Sequence, residues 1–282
     1  MTKTPAKKPP RKPYVDPPEY LDNPYMGLLI KNEGASERRR VCIGIPMTGQ
    51  VRGEWAMARW GQIIPTNWTA SDIVQWMNQV TPLGYNVMDA RNLIVNVALQ
   101  NGFEWLLFND SDTILPPHAF STMNEYMLKG DVPVVCGLYF TKSDPPEPLV
   151  YRGRGNSYYR HFKIGDKFWI DGVPMGCTLI HLKLLRAMAE DAPEYMAYGS
   201  YKIKKVFDTP QVRWTDPETG ATKGLTGTED LAWSKRVIEG KYLEKAGWPK
   251  IQQRKWPFLC DSSIFCWHIR EDGVKFPLRF AW

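Results

Sequence analysis

The feature that most constrains the fold is the apolar run at residues 105–108, which leads through Asn109 into Asp110-Ser111-Asp112. A short apolar run bounded by polar residues predicts a buried strand. Two carboxylates spaced i, i+2 at the exit of a strand can point the same way and share one divalent cation. Oxygen ligands with an open coordination sphere suit Mg²⁺ or Mn²⁺ carrying a diphosphate. The alternative is an ordinary turn, which paired aspartates also favour.

Composition is typical of a soluble globular protein. The chain has 282 residues, of which 43% are hydrophobic and 23% charged, enough for one large domain or two small ones. No apolar stretch reaches the roughly 20 residues of a membrane span, and the N-terminus lacks the apolar region of a secretory signal. The five cysteines form no CxxC pair. Their odd number predicts reduced thiols and a cytoplasmic location.

Residues 1–40 differ in character from the rest of the chain. They are rich in proline and charge, and part of the net charge of +6 lies in the first dozen residues. This composition predicts a disordered basic tail followed by a folded region that begins at residue 41. The tail either keeps the protein soluble or contacts nucleic acid or a membrane surface.

The first half of the folded region alternates between strand and helix patterns. Strands are predicted at 41–46, 68–77, 104–109 and 132–138, and helices at 53–64, 89–102 and 116–130. This alternation predicts an α/β fold with a mostly parallel, Rossmann-like central sheet flanked by helices. Ligands of such sheets bind beyond the carboxyl ends of the strands, where Pro46 and the two aspartates fall.

The second half is less regular. A short strand is predicted at 168–170 and a helix at 182–190. Residues 199–226 are rich in Lys, Gly, Thr and Pro and predict a long loop or a ragged hairpin. Another helix begins around Thr228-Glu229-Asp230 and ends at Gly240.

Three further groups of polar residues have two interpretations each. His268 lies in an apolar run and is either a core residue or, if the fold brings it to Asp112, a metal ligand. Glu229 and Asp230 are either stabilising acids at a helix N-terminus or a general base. Arg91 and Asn92 either face solvent or hold a phosphate or a nucleobase.

Several of these segments together resemble GT-A fold glycosyltransferases, in particular bacterial and phage members related to the large inverting family. The resemblance covers residues 41–270 and depends on the order of the motifs. The matching segments are 43–46, 90–92, 105–112, 172–180, 228–231 with Arg236 and Gly240, and finally His268.

The resemblance implies a role for each matching residue. It implies that residues 41–140 form a nucleotide-sugar-binding half and residues 141–282 an acceptor and catalytic half of the same domain. The implied donor-binding residues are Pro46, Arg91, Asn92, Asp110 and Ser111. The implied ligands of Mn²⁺ or Mg²⁺ are Asp110, Asp112 and His268. The implied base is Asp230, with Glu229 as its substitute, and the implied acceptor-side residues are Met175 and Gly176.

The leading hypothesis is therefore a metal-dependent glycosyltransferase that moves a sugar from a nucleoside diphosphate to an acceptor hydroxyl with inversion. The acceptor is a glycan, a small molecule or hydroxymethylated DNA held by basic residues, for which the candidates are Arg152, Arg154, Arg160 and residues 202–205. A sugar nucleotidyltransferase is a second possibility, although residues 46–50 contain one glycine and no lysine. A non-catalytic nucleic-acid-binding protein is the third.

Overall fold

The computed structural model describes residues 41–47, 49–65, 68, 79–153, 158–197, 199 and 201–278. In chain order its strands are β1 (Val41–Gly44), β2 (Gln79–Val80), β3 (Trp105–Asn109), β4 (Thr113–Ile114), β5 (Val134–Leu138), β6 (Lys167–Ile170), β7 (Cys177–His181), β8 (Glu194–Ala197), β9 (Tyr201–Lys204), β10 (Gln211–Thr215), β11 (Thr222–Thr226), β12 (Phe258–Phe265), β13 (Trp267–Ile269) and β14 (Lys275–Phe276). Its helices are α1 (Gly53–Trp60), α2 (Val87–Gln100), α3 (Ala119–Lys129), α4 (Leu182–Glu190), α5 (Glu229–Glu239), α6 (Tyr242–Lys245) and α7 (Pro249–Gln252).

A seven-stranded mixed sheet forms the centre, in the order β2-β1-β3-β7-β5-β12-β6. Strands β2, β1, β3, β5 and β12 run in one direction, whereas β7 and β6 run in the other. The α/β class and the mostly parallel sheet predicted from the sequence agree with this arrangement. The antiparallel β7 was not expected. It lies between β3 and β5, so the second half of the chain inserts a strand between strands of the first.

Strands β1, β3 and β5 are buried on both faces, which explains why each is a nearly continuous apolar run rather than an alternating one. Along β3, Leu106 and Phe108 belong to one buried cluster, and Trp105 and Leu107 belong to the other. Helices α2, α4 and α5 pack on the first face, and α1 and α3 pack on the second. Because β3 is covered on both faces, its side chains pack in the core, and the aspartates that follow it lie beyond its carboxyl end.

Element boundaries differ from the sequence prediction at a few places. Helix α1 ends at Trp60, four residues before the predicted end. Helix α2 begins at Val87 because the Asn86 side chain accepts a hydrogen bond from the Asp89 backbone N–H, so Asn86 is the cap. Most of the strand predicted at 68–77 lies outside the described residues. The 199–226 region contains the β10–β11 hairpin and strand β9.

The described part of the chain contains no helix that is both long and apolar enough to cross a membrane.

Candidate active site

Four segments of the candidate site follow strands that run in the same direction. Pro46 follows β1, Asp110 follows β3, Tyr139 follows β5 and His268 lies just beyond β12. Because parallel strands end at the same edge of a sheet, these segments meet at one edge. Gly176 reaches the same edge because it immediately precedes the antiparallel strand β7.

The backbone of the aspartate turn is held on both sides. The Asp110 backbone N–H donates to the Gly176 carbonyl at 3.0 Å. The Asp110 carbonyl accepts from the Trp55 indole N–H at 2.8 Å and from the Thr113 backbone N–H at 3.0 Å. The turn is therefore fixed between the central sheet and helix α1.

The turn continues into β4, which pairs with β13 and places His268 opposite Thr113. The Ile269 backbone N–H donates to the Asp112 carbonyl at 2.8 Å. This pairing brings His268 Nε2 to 3.3 Å from Asp112 Oδ2. The structure thus brings His268 next to Asp112, which is the condition that the sequence analysis set for interpreting His268 as a metal ligand.

The other ring nitrogen of His268 fixes the orientation of the imidazole. Nδ1 lies 2.8 Å from the Phe140 carbonyl, which accepts a hydrogen bond and so requires the proton to be on Nδ1. In the neutral ring Nε2 then carries a lone pair that faces the Asp112 carboxylate. Two acceptors face each other unless Nε2 is protonated or a cation lies between them. A backbone carbonyl that orients an imidazole in this way is typical of the support behind a metal-binding histidine.

Lys142 is a functional candidate that the sequence analysis missed. Its Nζ lies 2.6 Å from Asp112 Oδ2. Burial by itself raises the pKa of Asp112, but His268 and Lys142 outweigh it and hold that pKa well below its usual range. Lys142 follows the apolar strand β5 by four residues, so the strand-end rule that found Asp110 also indicates this segment.

Arg91 forms the most buried charge cluster of the site. Its two Nη atoms donate to the two oxygens of Asp110 at 2.9 and 2.8 Å, and its Nε donates to Glu229 at 3.1 Å. Burial lowers the Arg91 pKa, but the two carboxylates outweigh it and raise that pKa above its ordinary value. Burial raises the pKa of Asp110 and Arg91 opposes that rise. Because a guanidinium keeps its proton at neutral pH, we treat the cluster as ionic.

Asp230 lies next to Glu229 in the first turn of α5 but has a different environment. Its Oδ1 accepts from the Leu231 backbone N–H at 2.7 Å. Burial, and then the neighbouring charge of Glu229, raise the pKa of Asp230 to about 6. The carboxylate with this raised pKa is mostly ionised at neutral pH and has no cationic partner of its own at hydrogen-bond distance among the described residues, whereas Glu229 is bound by Arg91.

The Tyr139 hydroxyl connects the carboxylates with the acceptor-side segment. It accepts from the Gly176 backbone N–H at 2.8 Å. Burial and then the charges of Asp110 and Asp230 raise the Tyr139 pKa well above its ordinary value, so the phenol keeps its proton. A Cβ at Gly176 would lie 2.5 Å from this hydroxyl, so any side chain there displaces Tyr139.

Other predicted site residues have different surroundings. The Met175 side chain is buried in the core beneath the sheet edge. Asn92 is fully buried, and its amide both donates to and accepts from the backbone of Phe207, at 2.9 and 2.8 Å. Pro46 is buried beyond β1, and Ser111 is half-buried between the two aspartates. Met175 and Asn92 thus face the interior rather than the edge where the carboxylates meet.

Fold and site together define a mixed α/β protein with carboxylates, a histidine and a lysine gathered at the carboxyl edge of its sheet. Among solved structures, the chain is similar to A197 from STIV, with 17% sequence identity, a TM-score of 0.49, and coverage of 84% of this chain and 88% of that chain. It is also similar to S. aureus TarS 1-349 in complex with UDP, with 12% identity, a TM-score of 0.32, and coverage of 57% of this chain and 52% of that chain. No model of a protein family and no curated protein matches the chain. At values this low neither structural similarity decides the function, which is argued below from the chain's own contacts.

Proposed function

We propose that this protein is a metal-dependent glycosyltransferase that moves a sugar from a nucleoside diphosphate to an acceptor hydroxyl. One observation carries the proposal: His268 Nε2 lies 3.3 Å from Asp112 Oδ2, the His268 ring packs edge-on against Tyr139, and the charge of Asp230 acts on the hydroxyl of the same Tyr139. A cation-binding pair and a base at one strand edge are the two parts that such a transfer needs. The order of the motifs along the sequence supports the same conclusion.

Asp112 and His268 are the proposed ligands of Mn²⁺ or Mg²⁺. A carboxylate oxygen and an imidazole suit Mn²⁺ in particular, and the Nδ1–H of His268 is already held by Phe140. Among the described residues, no group of three or more His, Cys, Asp or Glu side chains forms a metal site. A metal held by Asp112 and His268 would keep its remaining positions open for the donor diphosphate and water. The bound metal supplies positive charge that offsets the charge developing on the departing diphosphate.

Arg91 acts in this proposal as a positioning residue rather than as a contact of the base or phosphate. Asp110, which the resemblance implied as a contact of the metal or the ribose, is proposed to bind the ribose, because Arg91 already occupies both of its oxygens. Both Asp110 oxygens accept from Arg91, and each retains a lone pair that a ribose hydroxyl can use. Pro46 and Ser111 border the same edge and are proposed to line the nucleotide. Asn92 supports the site indirectly, because its amide holds the Phe207 backbone against α2.

Asp230 is the proposed general base. A pKa of about 6 leaves it mostly ionised at neutral pH yet able to accept a proton, which is the property that general-base catalysis needs. It takes the proton of the acceptor hydroxyl while that oxygen attacks the anomeric carbon from the face opposite the leaving diphosphate, so the configuration inverts. Glu229 is the weaker candidate because Arg91 binds it. Gly176 is proposed as an acceptor-side residue, where the absence of a side chain lets Tyr139 and Thr113 keep their positions.

Two further expectations join this proposal. Residues 41–140 are proposed to bind the donor and residues 141–282 the acceptor, although strands of both parts share one sheet. The proposed location is the cytoplasm, where thiols remain reduced, since all five cysteines are buried and free.

A thermal-shift screen of UDP, GDP, CDP and dTDP, each with and without Mn²⁺, tests the donor site. A ligand that binds only the folded state raises the melting temperature by mass action. We expect one nucleotide to raise it only when Mn²⁺ is present, and Asp112→Asn to abolish that shift. Asp191→Asn, which removes an exposed carboxylate paired with Lys245, is the matched control. If no nucleotide raises the melting temperature of the unmodified protein, with or without Mn²⁺, the proposal of a donor site is wrong.

Turnover tests the reaction itself. The matching nucleotide sugar is incubated with Mn²⁺, and release of the nucleoside diphosphate is measured for the unmodified protein and for Asp230→Asn. We expect slow release by hydrolysis in the first and none in the second. Formation of a nucleotide sugar from a sugar phosphate and a nucleoside triphosphate would instead identify a nucleotidyltransferase.

A further inference from the structure

The basic residues suggested by the sequence as nucleic-acid contacts are mostly neutralised in the fold. Arg154 lies outside the described residues. The others form ion pairs: Arg160 with Glu147 at 2.6 Å, Lys202 and Lys204 with Glu194 at 2.6 and 3.5 Å, and Lys205 with Asp208 at 2.7 Å. A cation that already contacts a carboxylate offers little net charge to a second anion. Arg152 is the exception.

Arg152 is clamped between two aromatic rings. Its guanidinium carbon lies 3.6 Å from the centre of the Tyr159 ring and 4.1 Å from that of Trp256. Its Nε donates to the Trp169 carbonyl at 2.7 Å, which fixes the plane of the group. No carboxylate of the described chain forms an ion pair with it, so its two Nη groups retain donors for another anion.

Two more cations extend the same surface. The guanidinium carbon of Arg254 lies 3.9 Å from the Trp169 ring centre, and Lys255 Nζ lies 5.0 Å from that of Trp256. Both side chains are exposed, and within the described ranges neither is paired with an acid. We call the whole group the Arg152 cluster, consisting of Arg152, Tyr159, Trp169, Arg254, Lys255 and Trp256.

The chemistry of this cluster suits phosphates. Arginines stacked on aromatic rings are oriented in advance, and a guanidinium presents paired donors that match two phosphate oxygens. Arg152, Arg254 and Lys255 are three cations without acidic partners among the described residues. Together they attract a polymer with regularly spaced negative charges more strongly than they attract a single small anion. Each phosphate contact with a nucleic acid also releases counterions, which gives such surfaces their affinity.

We propose that the Arg152 cluster binds the phosphate backbone of a nucleic acid. The cluster adjoins the proposed base through Tyr151, which precedes Arg152 and whose backbone N–H donates to the Gly172 carbonyl at 3.3 Å. A Cβ at Gly172 would lie 2.8 Å from Leu231 Cδ2 and 3.1 Å from Tyr151 Cβ, so Tyr151 packs close to the first turn of α5, which carries Asp230. The binding of nucleic acid to this cluster is independent of the proposed function. The further statement that the bound nucleic acid is the acceptor rests on the proposed function.

The test measures the salt dependence of binding of a fluorescein-labelled single-stranded oligonucleotide to the full chain by anisotropy. The variant Arg254→Gln/Lys255→Gln removes two exposed charges and leaves Arg152 and its two half-buried rings in place. The control Lys202→Gln/Lys204→Gln removes the same charge from residues that are already paired. With about 0.7 counterions released per single-strand phosphate contact, we expect the slope of log affinity against log salt to fall by about 1.4 in the first variant. The control is expected to keep the slope of the unmodified protein.

Several outcomes overturn the proposal. The first is an equal decrease of the slope in Arg254→Gln/Lys255→Gln and in the control Lys202→Gln/Lys204→Gln. The second is an unchanged slope in Arg254→Gln/Lys255→Gln, and the third is the absence of salt-dependent binding by the unmodified chain. If Arg254→Gln/Lys255→Gln loses binding to labelled dextran sulfate but not to the oligonucleotide, the surface recognises an anionic glycan instead.

Arg152→Lys provides a second check, because it keeps the charge and removes the planar stack. We expect this variant to bind the oligonucleotide more weakly, with a nearly unchanged slope of log affinity against log salt. The metal-dependent thermal shift with nucleotides is measured in the same variants. If this shift persists while the prediction for the oligonucleotide fails, the Arg152 cluster does not bind nucleic acid but the donor site still stands.

Discussion

Arg91 binds Asp110 through both of its Nη atoms, at 2.9 and 2.8 Å, and reaches Glu229 through Nε at 3.1 Å. These three residues belong to helix α2, the turn after β3, and helix α5. The cluster thus joins the turn that carries Asp112 to the helix that carries Asp230. The Arg91 side chain is 3% exposed, and those of its partners Asp110 and Glu229 are 23% and 12% exposed.

Arg91→Met should strongly destabilise the protein. The substitution leaves the Asp110 and Glu229 carboxylates without their cation in a buried setting, which costs about 3–5 kcal/mol when one partner of a buried ion pair is removed. The measurement is the free energy of unfolding in urea. Arg186→Met, at an exposed position of α4, should change it little. A loss below about 1 kcal/mol in Arg91→Met would mean that water replaces the guanidinium and that the cluster does not position the site.

Lys142→Met should strengthen binding of Mn²⁺ to the nucleotide-free protein. Lys142 Nζ lies 2.6 Å from Asp112 Oδ2 and competes with a metal for that oxygen. Both side chains are partly exposed, so a gain of about three- to tenfold in affinity, about 1 kcal/mol, is expected by titration calorimetry. Lys183→Met on the exposed face of α4 should leave the affinity unchanged. Weaker Mn²⁺ binding in Lys142→Met would show that the lysine supports the metal site rather than competing with it.

Turnover should rise with pH around 6. Asp230 must be ionised to accept a proton, and its pKa is raised to about 6 by burial and by Glu229. The rate is therefore expected to increase about tenfold per pH unit below this value and to level off above it. Asp230→Asn should abolish turnover, while binding of the nucleotide with Mn²⁺ persists. A rate that is already constant well below pH 6 would exclude Asp230 as the base.

The raised pKa of Asp230 also predicts how the free energy of unfolding depends on pH. The folded-state pKa of Asp230 lies above its unfolded value of 3.8, so the folded protein binds more protons between these two values. The stabilisation is fully present below pH 3.8 and is lost as pH rises through about 6. At neutral pH, Asp230→Asn should therefore raise the free energy of unfolding, on the order of 2 kcal/mol, relative to the unmodified protein. Equal stability of the two proteins at neutral pH would show that the Asp230 carboxylate is well solvated.

Local sequence patterns predicted a large part of the fold. The apolar runs that became β1 and β3 end at Gly44 and before Asp110, and Pro133 precedes β5, so these breaks mark one end of each strand. The pairing partners of β7 could not be predicted. Its pattern is that of any buried strand, and only tertiary packing places it antiparallel between β3 and β5.

The candidate site was partly predictable for the same reason. Asp110 and Asp112 follow a strand, so their position in the sequence indicates the sheet edge. The contact between His268 and Asp112 depends on the pairing of β13 with β4 across more than 150 positions, which no local pattern encodes. Asn92 shows the opposite case. A polar residue in the first turn of a helix suggested a ligand contact, but the fold uses its amide to hold Phe207.

Gly176→Ala should destabilise the protein through Tyr139. The new Cβ would lie 2.5 Å from the Tyr139 hydroxyl and 2.6 Å from Thr113 Oγ1, and the tightly packed surroundings allow little movement. A loss of about 1–3 kcal/mol in the free energy of unfolding is expected from this overpacking. Gly53→Ala is the matched control, because nothing lies within 4 Å of a Cβ at the start of α1.

The double variant Gly176→Ala/Tyr139→Phe separates the steric effect from other causes. Tyr139→Phe alone leaves the Gly176 N–H without its acceptor, and this should cost about 1–3 kcal/mol. Removing the hydroxyl takes away the closest of the three contacts but leaves Thr113 Oγ1 at 2.6 Å and Tyr139 Cζ at 2.7 Å, so the two losses should add to somewhat more than the loss of the double variant. Strictly additive losses would mean that Thr113 and the Tyr139 ring carbon, rather than the hydroxyl, limit the space. The glycine then preserves the packing of the aspartate turn against β4 and has no direct part in shaping the acceptor side.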